Sequence, residues 1–310
     1  MSTARTAGSG PHIALIAVQI MFATWPVLGK IALRTLPSLS LVAFRVFGAA
    51  LALSAIGAAT RKVGAIARSD WGLLILCSLL GIVFNQWLFV KGLSLTTAVN
   101  ATLLGTTIPV FTLLVSIILG NDTASWRRII GILVAAAGVV YLIGPEHADL
   151  SHGAGDLLII SNSLFYGTYI AISKRLVDRY NALTVITWIF ILGSLPTLPV
   201  GLMSFAKVSV RDVSVTVWLS VAYIVLVATV LCYYLNSWAL TRVPPSTVAV
   251  YIYLQPLIAF VLAPLLLGET VSPRVVGAAV LVLAGVAIVT RRGRSHAIEE
   301  VSEHPEAFGH

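Results

Sequence analysis

Residues 96–120, TTAVNATLLGTTIPVFTLLVSIILG, decide the fold. The stretch is one apolar span with Pro109 near its middle, and hydroxyls and one amide, Asn100, precede that proline. A second span at 244–268, PPSTVAVYIYLQPLIAFVLAPLLLG, has the same build around Pro256, 147 positions further on. The same offset pairs Trp71 with Trp218, Thr123 with Thr270, Ser125 with Ser272, Arg127 with Arg274 and Gly138 with Gly285. Unlike residue types held to one offset mark a duplicated unit, and a duplicated apolar unit is a sequence sign of a transporter.

Composition agrees with a membrane setting. The 310 residues are 58% hydrophobic and 10% charged, with mean hydropathy +0.96, where a soluble domain is about a quarter charged. The net charge of +8 is therefore read by position, as a report of orientation, and not as a nucleic-acid surface. Cys77 and Cys232 both fall inside apolar spans and read as small fillers, not as a disulfide. No cleavable signal pattern follows the polar N-terminus, so the first span is expected to stay in the mature protein.

A helix needs about 20 apolar residues to cross the hydrocarbon. Ten segments qualify: about 12–33, 38–60, 71–92, 96–119, 126–143, 154–175, 182–205, 214–240, 244–267 and 273–290. Strand-like alternation is lacking, so the expected fold is all-α and integral to the membrane. The expected organisation is a cytoplasmic tail at 1–11, a five-helix repeat at 12–143 and an external linker at 144–153. A second five-helix repeat at 154–291 and a disordered cytoplasmic tail at 292–310 complete it. With both termini inside, Lys and Arg divide 13 against 5 in favour of the cytoplasm; Lys30 and Arg45, inside spans, complete the 20. Five helices per copy send the second copy in from the opposite face, so the repeats are inverted, a build suited to alternating access.

The run FATWPVLGKIAL in the first span and FRVFGAALAL in the second carry a family likeness, as do the span ends LGND at 119–122 and LGET at 267–270. On these the chain resembles the drug/metabolite transporter superfamily, in its EamA-type branch, over about residues 12–291. One departure is Asn121–Asp122, where the second copy has Glu269 directly after Gly268. The resemblance implies a central cavity between the halves and export or exchange of small metabolites across a cell membrane, in bacteria the cytoplasmic one. It names no substrate. It implies no cofactor.

Candidate transport residues follow from polarity at depth. Pro109 and Pro256 each free a mid-span carbonyl and are expected to act as kinks or hinges, unless they are ordinary membrane-helix prolines. Thr96, Asn100 and Thr107 share one face of the fourth span, and Thr247, Tyr251 and Gln255 one face of the ninth. Asn162, Tyr166 and Tyr169 form a stripe on the sixth span. Phe22, Trp25 and Lys30 precede Tyr166, Tyr169 and Lys174 by 144 positions. Asn85 and its neighbours Gln86 and Trp87, and Asn236 with Tyr233 and Tyr234, add polar and aromatic groups to spans three and eight. Such groups either line a cavity for a small organic substrate or hold helices together. Spans five and ten, rich in Gly and Ala, read as packing surfaces within a monomer.

Two cations lie inside spans. Lys30, about three residues from an end and roughly 5 Å deep, can reach the interface. Arg45 lies about seven residues in, roughly 10 Å deep, where a guanidinium is costly. No acid in the sequence reaches that depth, so its expected partners are carbonyls, water, lipid phosphate or an anionic substrate such as an amino-acid carboxylate. Alternatively, it fixes spans one and two through carbonyls. A multidrug exporter of the same fold is the rival reading. A membrane enzyme or receptor is the rival class, but all six His fall at ends or loops and neither paired acids nor a metal-ligand spacing occurs in a span.

Overall fold

The computed structural model describes residues 9–96, 98–121, 125–143 and 153–267, with residues 277, 280, 281, 284, 285, 287 and 288. The Asn100 side chain, Asp122, Glu269 and most of the tenth span lie outside the described residues, as do the 144–152 linker and nearly all of both tails. Helices α1 (Gly10–Ala32) and α2 (Ser38–Thr60) lead into α3, continuous from Arg68 to Leu95. Then come α4 (Ala98–Gly105), α5 (Ile108–Ile118) and α6 (Trp126–Ile143). The second half runs α7 (Gly153–Arg179), α8 (Ala182–Phe205), α9 (Val215–Leu240), α10 (Pro245–Val250) and α11 (Gln255–Leu267). Nine of the ten expected spans are thus helical, and no strand occurs among the described residues. Five helices, α1, α2, α3, α8 and α9, are long and apolar enough to cross a membrane.

The two proline spans depart from the expected kinked helix: each is a pair of helices. Thr106 and Thr107 form a turn between α4 and α5, and Pro109 is the second residue of α5. In the second copy a tight 3-10 segment, Tyr251–Leu254, separates α10 from α11, whose second residue is Pro256. A helix has no use for an N–H in its first turn, so proline costs nothing there. The chain breaks ahead of each proline, not at it.

Sequence duplication extends to backbone irregularity. Helix α3 widens to a π-helix over Leu79–Phe84, and α9 does so over Leu226–Leu231. Both ends of the two segments are 147 positions apart, the offset that relates the proline spans. A π segment disturbs the helical ladder and recurs at functional sites.

Packing places these segments centrally. Helix α7 carries Asn162, Ser163 and Ser173 buried within it, which is why so polar a helix is stable: its polar face lies against α3, α4 and α5, while Leu157 and Leu164 are exposed on its other side. Glycine opens a close approach between α3 and α7. A Cβ at Gly81 would come within 2.5 Å of the Tyr169 ring. Gly285 of the tenth span meets the Gly131 carbonyl and Ala135 of α6, so the small residues of spans five and ten pack within one chain. Large apolar side chains such as Ile118, Leu157, Leu195 and Leu265 are exposed and form the lipid-facing exterior. Cys77 and Cys232 are buried free thiols.

Candidate functional site

One central cavity draws side chains from most of the helices. Its volume is about 70 Å³. Its aromatic wall is Phe22 and Trp25 of α1, Phe89 of α3, Tyr166 of α7 and Tyr233 of α9. Its polar groups are Arg45, Asn85, Gln86, Thr102, Asn162, Asn236 and Gln255. Among the described residues Arg45 is the one charged side chain on the wall, and no carboxylate lines it.

Arg45 is buried, 3% exposed, and held by three hydrogen bonds. Its Nε donates to Thr229 Oγ1 at 2.6 Å, Nη1 to Gln86 Oε1 at 2.6 Å and Nη2 to the Ala228 carbonyl at 3.3 Å. Thr229 donates its own hydroxyl proton to the Ile224 carbonyl at 2.7 Å, leaving its oxygen to accept from Arg45. The guanidinium carbon sits 4.2 Å from the Trp25 ring centroid, a cation–π contact. The expected partners therefore need correction. A hydroxyl, a side-chain amide and one carbonyl hold Arg45, and they tie α2 to α3 and α9, while α1 contributes a ring face instead of carbonyls.

The relay continues across the two halves. Gln86 Nε2 donates to Tyr233 Oη at 3.0 Å, and Tyr233 donates to the Gly81 carbonyl at 3.3 Å. Gln86 and Tyr233 are each other's mates at the 147 offset, so this bond lies where the halves meet. Gly81 and Ala228 are also mates, and each lies in a π segment. The carbonyls of mated π residues thus receive Tyr233 in one half and Arg45 in the other.

The other candidates divide. Asn162 Nδ2 donates to the Asn85 carbonyl at 2.8 Å, and Tyr166, Tyr169 and Tyr233 form one ring cluster with centroids 5.7–6.4 Å apart. Tyr169 lies just off the cavity, in a small adjoining pocket. Gln255 reaches the wall, with its Nε2 donating to Gln19 Oε1 at 2.6 Å. Thr107 does not reach it; its hydroxyl bonds the Leu104 carbonyl inside the chain break, and α4 lines the cavity through Ala101, Thr102 and Gly105. Tyr251 is also turned away and bonds His12 Nδ1 at 2.7 Å. Four residues wound at three per turn add roughly 80° of rotation over an α-helix, which separates Tyr251 from Gln255. Lys30, half-buried, is not on the wall. Thr229, Thr102 and Phe89 carry no distinguishing signal in the sequence, while Gln86 and Tyr233 do: both are polar, mid-span and repeat mates.

The sequence model of the EamA-like transporter family matches residues 10–144 and again residues 153–291. The chain belongs to the EamA-like transporter family. It is a multi-pass membrane transporter. An uncharacterized transporter of Archaeoglobus fulgidus is 27% identical over 92% of this chain and 98% of its own length. A protein of Streptantibioticus cattleyicolor named "Probable terminal-alkyne amino-acid exporter" is 28% identical over 82% of this chain and 84% of its own. A solved crystal structure shares the fold, with TM-score 0.73 at 18% identity over 91% of this chain and 97% of that one.

Proposed function

We propose that this EamA-like transporter exports small carboxylated metabolites, amino acids among them, by alternating access around the central cavity. One observation carries the reading. A guanidinium presents five N–H donors, and three of Arg45's have protein acceptors, leaving two for an anionic group on a wall that no described carboxylate lines. A ligand carboxylate is the natural acceptor for that fork. The aromatic wall suits the remainder of a small organic molecule. The name of the Streptantibioticus relative supports amino acids as the class.

The machine behind this reading is ten membrane helices in two inverted five-helix repeats, acting as a monomer in a bacterial cytoplasmic membrane with both termini inside. The 147 offset of the proline spans and π segments, and the 13-to-5 division of cations, support it. Exchanging the conformations of the two halves would turn the cavity from one face of the membrane to the other.

The test is counterflow of labelled amino acids by purified protein in liposomes. Arg45→Gln is expected to cut that exchange at least tenfold, while the protein still inserts and purifies as a folded species. The rival within the fold, export of lipophilic cations, is served by the aromatic wall but opposed by its charge. Transport of quaternary ammonium dyes against a proton gradient, with amino acids ignored, would overturn the proposal.

A further inference from the structure

We infer that Asn236 selects substrates with an amino group: its side-chain oxygen takes the ammonium of a ligand whose carboxylate lies on Arg45. The inference rests on the carboxylate reading above and names the second half of the substrate.

Asn236 lines the cavity from α9. Its amide is hydrogen-bonded to the Tyr166 side chain, yet its Oδ1 is buried and has no partner among the described residues. Buried acceptors in folded proteins are almost always paired, and an unpaired one on a cavity wall calls for a donor from the cavity side. Asn162, on the same wall, also commits its nitrogen elsewhere, to the Asn85 carbonyl, so its oxygen is its other hydrogen-bonding end.

Position agrees with chemistry. Thr229, which holds Arg45 Nε, precedes Asn236 by seven residues on α9, about 10 Å along the helix axis, and both Arg45 and Asn236 line the one cavity. A ligand with ammonium and carboxylate on one carbon, making a charge-assisted bond of about 2.8 Å at each end, has roughly that reach. Tyr233, one turn before Asn236, is joined to Arg45 through Gln86, so donor and acceptor flank one bonded element.

Neutrality of the acceptor matters as well. A carboxylate here would add a negative charge to the cavity and repel the ligand's own carboxylate. An amide oxygen accepts from an ammonium without competing for the guanidinium. The wall is therefore matched to a zwitterion, with one fixed positive charge and a neutral acceptor.

Three probes with the same branched tail test this in proteoliposomes: leucine, 4-methylpentanoate, which lacks the amine, and 3-methylbutylamine, which lacks the carboxylate. The wild type is expected to exchange leucine at least about tenfold better than 4-methylpentanoate, the worth of one hydrogen bond to a charged group. Asn236→Leu should reduce that preference to under about threefold, and Asn236→Asp should retain binding of 3-methylbutylamine. Tyr166→Phe removes the Asn236–Tyr166 bond alone and should keep the preference. Equal exchange of leucine and 4-methylpentanoate by the wild type would overturn the role of Asn236 and leave the carboxylate reading standing. A wild type that takes the amine, loses it in Asn236→Leu and ignores both acids would overturn the carboxylate reading instead. Equal loss of all three probes in both Asn236 variants and in Tyr166→Phe would reduce Asn236 to a helix contact.

Discussion

Gln86→Glu separates what Arg45 does for substrate from what it does for the fold. Gln86 Oε1 lies 2.6 Å from Arg45 Nη1, so a glutamate of the same shape would place a carboxylate there with no movement of the backbone. Arg45 would keep its acceptor, now charged, and the hydrogen bonds to Thr229 and Ala228 would be undisturbed. Only the Gln86 Nε2 donation to Tyr233 would be lost, and Tyr233 Oη could turn its proton to the new carboxylate. Thermal unfolding in detergent should therefore change little. A substrate carboxylate on the two remaining N–H groups would sit about 5 Å from the new charge, a repulsion of about 3 kcal/mol at an effective dielectric of about 20. That is about a hundredfold in affinity. Counterflow of labelled leucine across a concentration series measures it. Unaltered half-saturation in Gln86→Glu, with normal folding, would refute Arg45 as the carboxylate site.

Topology and hinges give the remaining tests. Reporters fused after Arg68, Arg128 and Arg294 should read cytoplasmic and one within 146–152 external; a cytoplasmic reading at 146–152 would sink the inverted arrangement. Pro109 and Pro256 sit in the first turns of α5 and α11, so Pro109→Ala and Pro256→Ala cost those helices nothing but supply the N–H that a continuous helix across the break would need. Both variants should insert normally and exchange substrate at least tenfold more slowly, and wild-type rates in the singles and the double would leave the prolines as packing features.

Periodicity made the fold legible because a membrane span announces itself by length and a duplicated unit by its offset. The same offset predicted where α3 and α9 would correspond, though not that both would widen into π turns, which no propensity scale encodes. Site residues were legible where polarity sat deep in an unbroken helix: Asn85, Asn162, Tyr166 and Asn236 all reach the cavity wall. Face arithmetic failed for Thr107 and Tyr251 because it assumed α-helix through the stretches where the chain breaks. Arg45's partners were invisible for another reason. Thr229 is 184 positions away, and only packing shows which of many hydroxyls a guanidinium meets. Depth and the lack of acids said that Arg45 needed acceptors; they could not say which.

A π turn holds one residue more than the α turn it replaces, and that extra residue sets phase. Every side chain beyond Phe84 in α3, and beyond Leu231 in α9, is displaced by about 100° relative to an unwidened helix. Gln86 and Tyr233, which meet across the halves, both lie just beyond the widened turns and carry the same displacement. Independent acquisition at matching positions would require two coincident insertions. A single insertion in the unit that was later copied accounts for the same displacement in both halves.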